Sequence, residues 1–202
     1  GPKSAQNFKG LAVEKPRDLL FTLPYSGIDR RPVPTVQMAD LPKVLTVEVT
    51  VGHHIAPSAR GRPYRIEVQD SATVFHLIFF HAHPDYLQRI FPKGSRQVVS
   101  GKVELFDGIA QMTHPDYVVP PSEAREIPEF EPLYPKTAGI TQKLMLKATR
   151  SALGRVPALP EWIDPGLKAE KKWPAWHEAT AEAHAPTTLA ALAAEDPARA
   201  RL

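Results

Sequence analysis

From Lys43 the chain alternates, with Val44, Thr46, Glu48 and Thr50 on one side and Leu45, Val47, Val49 and Val51 on the other. A period of two with apolar residues confined to one side predicts a strand buried on one face. Four further strand-like runs follow before Tyr117, at 63–68, 73–80, 97–105 and 109–113. They are joined by the segment 53–62, a tight Gln69-Asp70-Ser71-Ala72 turn, a long segment over 81–96, and Phe106-Asp107-Gly108. Tight hairpins at 2-3 and 4-5 with a long 3-4 connection predict a small closed barrel of OB type. A β-sandwich is the competing architecture, for which five strands are few.

The flanks follow other rules. Pro16 opens a short helix carrying Leu19, Leu20 and Phe21, Pro24 ends it, and Gly27 to Pro32 reads as a polar turn. Five prolines and four glutamates between Pro120 and Pro135 predict a chain running extended over the surface. Ile140, Leu144, Ala148 and Ala152 recur every four residues, which predicts an amphipathic helix from about Thr141 to Leu153. The Ala-rich tail from Trp173 carries helix starts at Pro174 and near Thr188 and Pro197. The expected organisation is an N-terminal extension over 1–42, a barrel over 43–117, a Pro-rich connector over 118–138 and a helical linker over 139–202. The fold class is mainly β with flanking α: a five-stranded OB barrel with helical extensions at both ends.

Composition narrows the function. The 43% hydrophobic residues support one ordinary core, and 22 prolines against 11 glycines in 202 residues exclude long uninterrupted helices. No cysteine is present, which removes disulfides, thiolate metal sites and thiol nucleophiles together. A net charge of +3 permits a polyanionic partner without demanding one. No apolar run approaches the ~18 residues of a membrane span and no leader pattern opens the chain, so a cytoplasmic protein with no membrane partner is expected. Gly1-Pro2, with no initiator Met, reads as the remnant of a cleaved tag, so an excised piece of a longer protein is expected.

Catalytic motifs are missing. Gly101-Lys102 is followed by Val103 inside a predicted strand, so no phosphate-cradling loop forms there, and no nucleophile elbow or H-E-x-x-H occurs. Six of the eight histidines, His53, His54, His76, His81, His83 and His114, fall in the barrel segment. His81 and His83 would point the same way on an extended stretch, but without Cys or carboxylates at ligand spacing no metal site is assigned. Polar contact with nucleic acid, or simple solvation, is the reading given to these rings.

Two loops hold the candidate chemistry. Residues 53–62 with Arg65 form a cationic cluster, Arg60, Arg62 and Arg65, free of acids. In an OB barrel this loop and the 3-4 connection flank the ligand groove; an ordinary solvated loop is the alternative. The 3-4 connection begins at Phe79-Phe80 and adds His81, His83, Tyr86, Arg89, Lys93 and Arg96. Alternation sends one of Phe79 and Phe80 outward. Leu87, Ile90 and Phe91 are core candidates, and Phe80 and Tyr86 are candidates for stacking on unpaired bases.

Five ordered phrases then resemble the N-terminal region of bacterial RecG helicases: Leu23-Pro-Tyr-Ser-Gly-Ile-Asp-Arg30, Phe79-Phe80 with Tyr86-Leu87 and Phe91-Pro-Lys-Gly94, Met112-Thr-His-Pro-Asp-Tyr117, Pro132-Leu-Tyr-Pro-Lys-Thr-Ala-Gly-Ile-Thr-Gln142, and Glu182-Ala-His-Ala-Pro186. The resemblance implies a wedge domain that grips branched DNA, such as a stalled fork or Holliday junction, while motor domains driven by ATP and Mg pull duplex past it. Phe80 and Tyr86 match the family's stacking aromatics, here separated by two extra residues, with His81 where the family often has Asn. Arg60, Arg62, Arg65, Arg89, Lys93 and Arg96, with His81 and His83, are then expected to hold phosphates. The implied partners are branched DNA, the parent's C-terminal helicase domains and single-strand-binding protein, with the nucleoid as location. No ATPase motif lies in these residues, so the chain alone is expected to be inactive, with no cofactor of its own. A stand-alone single-strand or RNA-binding OB module is the alternative, and a purely structural brace a third.

Overall fold

The computed structural model describes residues 2–59 and 61–202. In chain order its regular elements are α1 (Pro2–Phe8), β1 (Ser26–Asp29), β2 (Pro32–Val33), β3 (Lys43–Ile55), β4 (Tyr64–Gln69), β5 (Val74–Phe79), α2 (Pro84–Ile90), β6 (Arg96–Phe106), β7 (Ile109–Thr113), β8 (Tyr117–Val119), β9 (Phe130–Leu133), α3 (Gln142–Leu153), α4 (Pro165–Lys171), α5 (Trp176–His184) and α6 (Pro197–Arg201). They divide into two compact units, one over Asp29–Glu129, the other made of the residues up to Ile28 with Phe130–Leu202. Residues up to Ile28 thus share a unit with the C-terminal helices, whereas residues 29–42 fall with the barrel.

The first unit is the barrel. Strands β3, β4, β5, β7 and β6 are neighbours in that order, and β6 returns to β3 over eight consecutive pairs from Lys43 with Val103 to Thr50 with Arg96. Among these five strands the one parallel contact is β5 with β7, where His76 faces Gln111 and Ile78 faces Thr113. Five strands closed in this order make an OB-type barrel. Strand β2 lies parallel beside β3, and β8 lies antiparallel beside β6.

The predicted alternation points the way expected. Leu45, Val47, Val49 and Val51 turn inward onto Ile66, Val68, Phe75, Leu77, Val99, Val103, Ala110 and Met112, all buried. The register of β3 shifts between Val51 and His54, an irregularity that re-aims the end of the longest strand. Asp107 and Gly108 both take positive φ, 50° and 77°, the conformation of the tight hairpin turn joining β6 to β7. Asp70 closes the β4–β5 turn, its carboxylate accepting from the N–H groups of Ala72, Thr73 and Val36 and from the Thr35 hydroxyl.

In the second unit, Ser26–Asp29 is a strand rather than the polar turn expected, and its partner is β9, inside the stretch expected to be merely extended. Gly27 is required there: a Cβ would lie 2.1 Å from Cε1 of Phe130. Helix α3 starts where predicted, the Thr141 hydroxyl accepting from Leu144 N–H at 3.2 Å. Its buried residues are Met145, Thr149 and Ala152, with Leu144 and Ala148 only partly covered. Asp164 caps α4, which sequence reading did not identify, through Leu167 N–H at 2.9 Å, with Pro165 in the first turn. A buried chain of hydrogen bonds links Tyr134 Oη to His184 Nδ1 at 2.9 Å and His184 Nε2 to the Leu20 carbonyl at 3.0 Å. Among the described residues no helix is long and apolar enough to cross a membrane.

Candidate nucleic-acid interface

The long 3-4 connection folds into α2, which plugs one end of the barrel. Pro84 occupies the first turn, and the helical spacing turns Leu87 inward, followed by Phe91; both are at most 2% exposed, with Ile90 partly buried beside them. The same spacing leaves Tyr86 outside. His54 on β3 fixes the plug: in the neutral tautomer its Nε2–H donates to the Phe91 carbonyl at 2.8 Å, and its Nδ1 accepts from Tyr64 Oη at 3.0 Å. The following turn is held by Gly94 N–H to the Val51 carbonyl at 2.8 Å and Val51 N–H to the Ser95 carbonyl at 2.9 Å.

Two aromatic rings stand on the rim of this end, Phe80 42% exposed and Tyr86 52%. Phe79, the last residue of β5, packs inward against Phe91 at 5.6 Å between ring centroids, so alternation sends Phe80 outward. Arg89, one turn on from Tyr86, lies over its ring at 5.6 Å to the centroid. Tyr64 faces Phe79 and Arg65 faces Ile78 across the β4–β5 ladder, which brings Arg65 and the start of β4 to the same rim as Phe80. Arg62, Arg65, Lys93, His81 and His83 are exposed.

The expected cations differ in their surroundings. Arg96, at the start of β6, is ion-paired with Glu48 on the neighbouring β3, a cross-strand pairing that a count of basic residues does not reveal. Arg60 lies outside the described residues. The histidine geometry also departs from expectation. His81 adopts φ 54° and His83 is the N-cap of α2, so the two do not share one side of an extended run. Among the described residues no three His, Asp or Glu side chains gather at metal-binding distance.

One rim histidine, grouped by sequence only with the polar or solvated rings, makes a specific contact. His114 follows β7 at φ 47°, and its Nε2 accepts from the Phe80 N–H at 3.2 Å. It lies in the Met112-to-Tyr117 phrase, which was the available signal. On the outer wall His76 is pushed below the usual histidine range, first by burial and then by Arg65, with Glu67 acting in the opposite sense.

A closed five-stranded barrel in this strand order, with a helix plugging one end, belongs to the class of OB-fold domains. Within that class the chain belongs to the RecG wedge domain family, whose model matches residues 1–156. It is similar to the ATP-dependent DNA helicase RecG of Aquifex aeolicus (strain VF5), at 28% identity over 152 residues, covering 72% of this chain and 19% of that protein. It is also similar to a solved structure of RecG bound to a three-way DNA junction, with a TM-score of 0.75 and 23% identity, covering 97% of this chain and 27% of the other. The chain thus spans about a fifth of the curated relative and about a quarter of the solved one.

Proposed function

We propose that this chain is the branched-DNA-binding wedge of a RecG-like ATP-dependent helicase, with Phe80 and Tyr86 capping the last base pairs at the branch. The observation that carries it is the pair of exposed rings at the plugged end, Phe80 following the partly buried Phe79 and Tyr86 preceding the buried Leu87, with Arg89 over the Tyr86 ring and exposed Arg62 and Arg65 at the start of the strand beside β5. A duplex split at a branch loses base stacking on its terminal pairs, and an aromatic face replaces it at roughly 1 to 3 kcal/mol per base. The cations hold phosphates without reading sequence, so recognition is by the shape of the junction. In the parent protein, motor domains supplied with ATP and Mg would pull duplex against this barrel and so regress stalled forks and process Holliday junctions in recombination and repair.

Binding of fork, junction and linear duplex DNA by wild type, Phe80→Ala and Tyr86→Ala tests this. Each substitution should weaken fork and junction binding by roughly 5- to 150-fold, the range set by stacking of one base, and leave linear duplex nearly unchanged. Equal loss on all three substrates would refute the capping role. Binding should also weaken with added salt, since counterion release accompanies every phosphate contact.

A further inference from the structure

The ladder that carries Phe80 to the rim ends before Phe80 does. On one side β4 stops at Tyr64, opposite Phe79, and on the other β7 stops at Thr113, opposite Ile78. The residue after Phe80 turns away, His81 taking a left-handed φ of 54°. The Phe80 N–H is therefore beyond the paired strands, and its acceptor is the imidazole Nε2 of His114 at 3.2 Å.

His114 reaches three consecutive residues of this strand end. Its own N–H donates to the Ile78 carbonyl at 2.9 Å, its ring meets Phe79 edge-on at 5.9 Å, and it lies tilted against Phe80 at 6.0 Å and 38°. It does so from φ 47°, a backbone region that non-glycine residues occupy only where surrounding contacts over-determine it. An exposed ring on a strand end without such a brace would sample several rotamers and lose entropy on stacking.

We propose that His114 is a positioning residue for the capping aromatic: it fixes the backbone and ring of Phe80, so that the stacking face is ordered before DNA arrives. This rests on the capping role of Phe80. The Nε2 atom acts as an acceptor, so the imidazole works in its neutral form with the proton on Nδ1. Two separable properties follow, an acceptor at the ε position and a flat ring against Phe80.

The test is a double-mutant cycle on fork DNA with the full chain, comparing wild type, His114→Leu, Phe80→Ala and the double variant, with linear duplex and thermal melting as controls. His114→Leu should weaken fork binding about fivefold, a part of the Phe80→Ala loss, and should cost nothing further in the Phe80→Ala background. His114→Gln, whose side-chain oxygen sits where Nε2 does, should recover most of the affinity and keeps the test intact should the leucine variant fold poorly. Wild-type fork binding by a folded His114→Leu protein, an equal loss in both Phe80 backgrounds, or a His114→Gln protein as weak as His114→Leu would each overturn the proposal. Failure of the underlying capping role gives a different result: Phe80→Ala alone would leave fork binding unchanged.

Discussion

Arg30 offers the sharpest test of how the barrel is held shut. Its side chain is 3% exposed, its Nη1 donates to Ser100 Oγ at 2.9 Å, its Nη2 reaches Asp116 at 3.0 Å, and its guanidinium lies 5.0 Å over the Tyr117 ring. Ser100 faces Thr46 on β3 and Tyr117 on β8, so this one side chain stitches a row running across three strands. Arg30→Met keeps the aliphatic stem and removes the charge. A hydrogen bond from a charged group is worth about 1.5 to 3 kcal/mol and a desolvated cation–π contact up to about 2. Two effects reduce the net cost: Ser100 keeps the Thr46 hydroxyl at 2.7 Å, and Asp116, half exposed, regains water. The expected loss is therefore about 2 to 3 kcal/mol. For a unit of about a hundred residues this lowers the barrel transition by roughly 10 to 20 °C in thermal denaturation followed by circular dichroism. Ser100→Ala should cost less and be strongly non-additive with Arg30→Met. An Arg30→Met protein melting within a few degrees of wild type, or Asp116→Asn costing as much as Arg30→Met, would show that the buried guanidinium does not hold the strands.

Other expectations concern single groups. Asp70→Ala removes the acceptor for two backbone N–H groups at the β4–β5 turn and for that of Val36 before β3, and should cost about 2 to 3 kcal/mol in urea unfolding, while Asp70→Asn should cost less. His184 is held below the usual histidine range chiefly by burial, so the unfolded chain binds the extra proton more readily than the folded one. Its contribution is complete above the unfolded histidine value near 6.5 and is lost as pH falls below it, so acid melting of the helical unit should flatten in His184→Gln. Tyr134→Phe removes the donor to His184 Nδ1 and should destabilise the same unit by about 1 to 3 kcal/mol. Leu87→Ala, which hollows the plug beneath Tyr86, should cost about 2 to 5 kcal/mol and weaken fork binding with Tyr86 itself untouched.

What was legible in the sequence was whatever one strand or one turn encodes by itself. Alternation at 44–51 identified the inward valines because a half-buried strand has an exact period of two. Alternation at Phe79-Phe80 and the helical spacing of Leu87, Ile90 and Phe91 were equally local signals: Leu87 and Phe91 are buried, Phe79 and Ile90 partly so, and Phe80 is exposed. Helix α3 shows where a period is misread: a repeat of four drifts around a helix of 3.6 residues per turn, so the covered line became Met145, Thr149 and Ala152. Nothing near Thr149 announces that a hydroxyl will be buried. Pairing of β1 with β9 is invisible locally, because each strand is short and its partner is far along the chain. Nothing in the sequence announced that Arg30 would be buried against Ser100, and only the fold shows that Arg96, expected to hold phosphate, is paired with Glu48.

The chain enters the barrel unit at Asp29 and leaves it at Glu129, and these ends are tied by the Arg30 N–H donating to the Glu129 carbonyl at 2.7 Å. Joining β1 to β9 through an unfolded loop of about a hundred residues would cost about 4 kcal/mol in closure entropy. Once the barrel has formed, its ends are already together and that cost has largely been met. The barrel should therefore fold first and serve as the hairpin that lets the two distant strands of the other unit find each other.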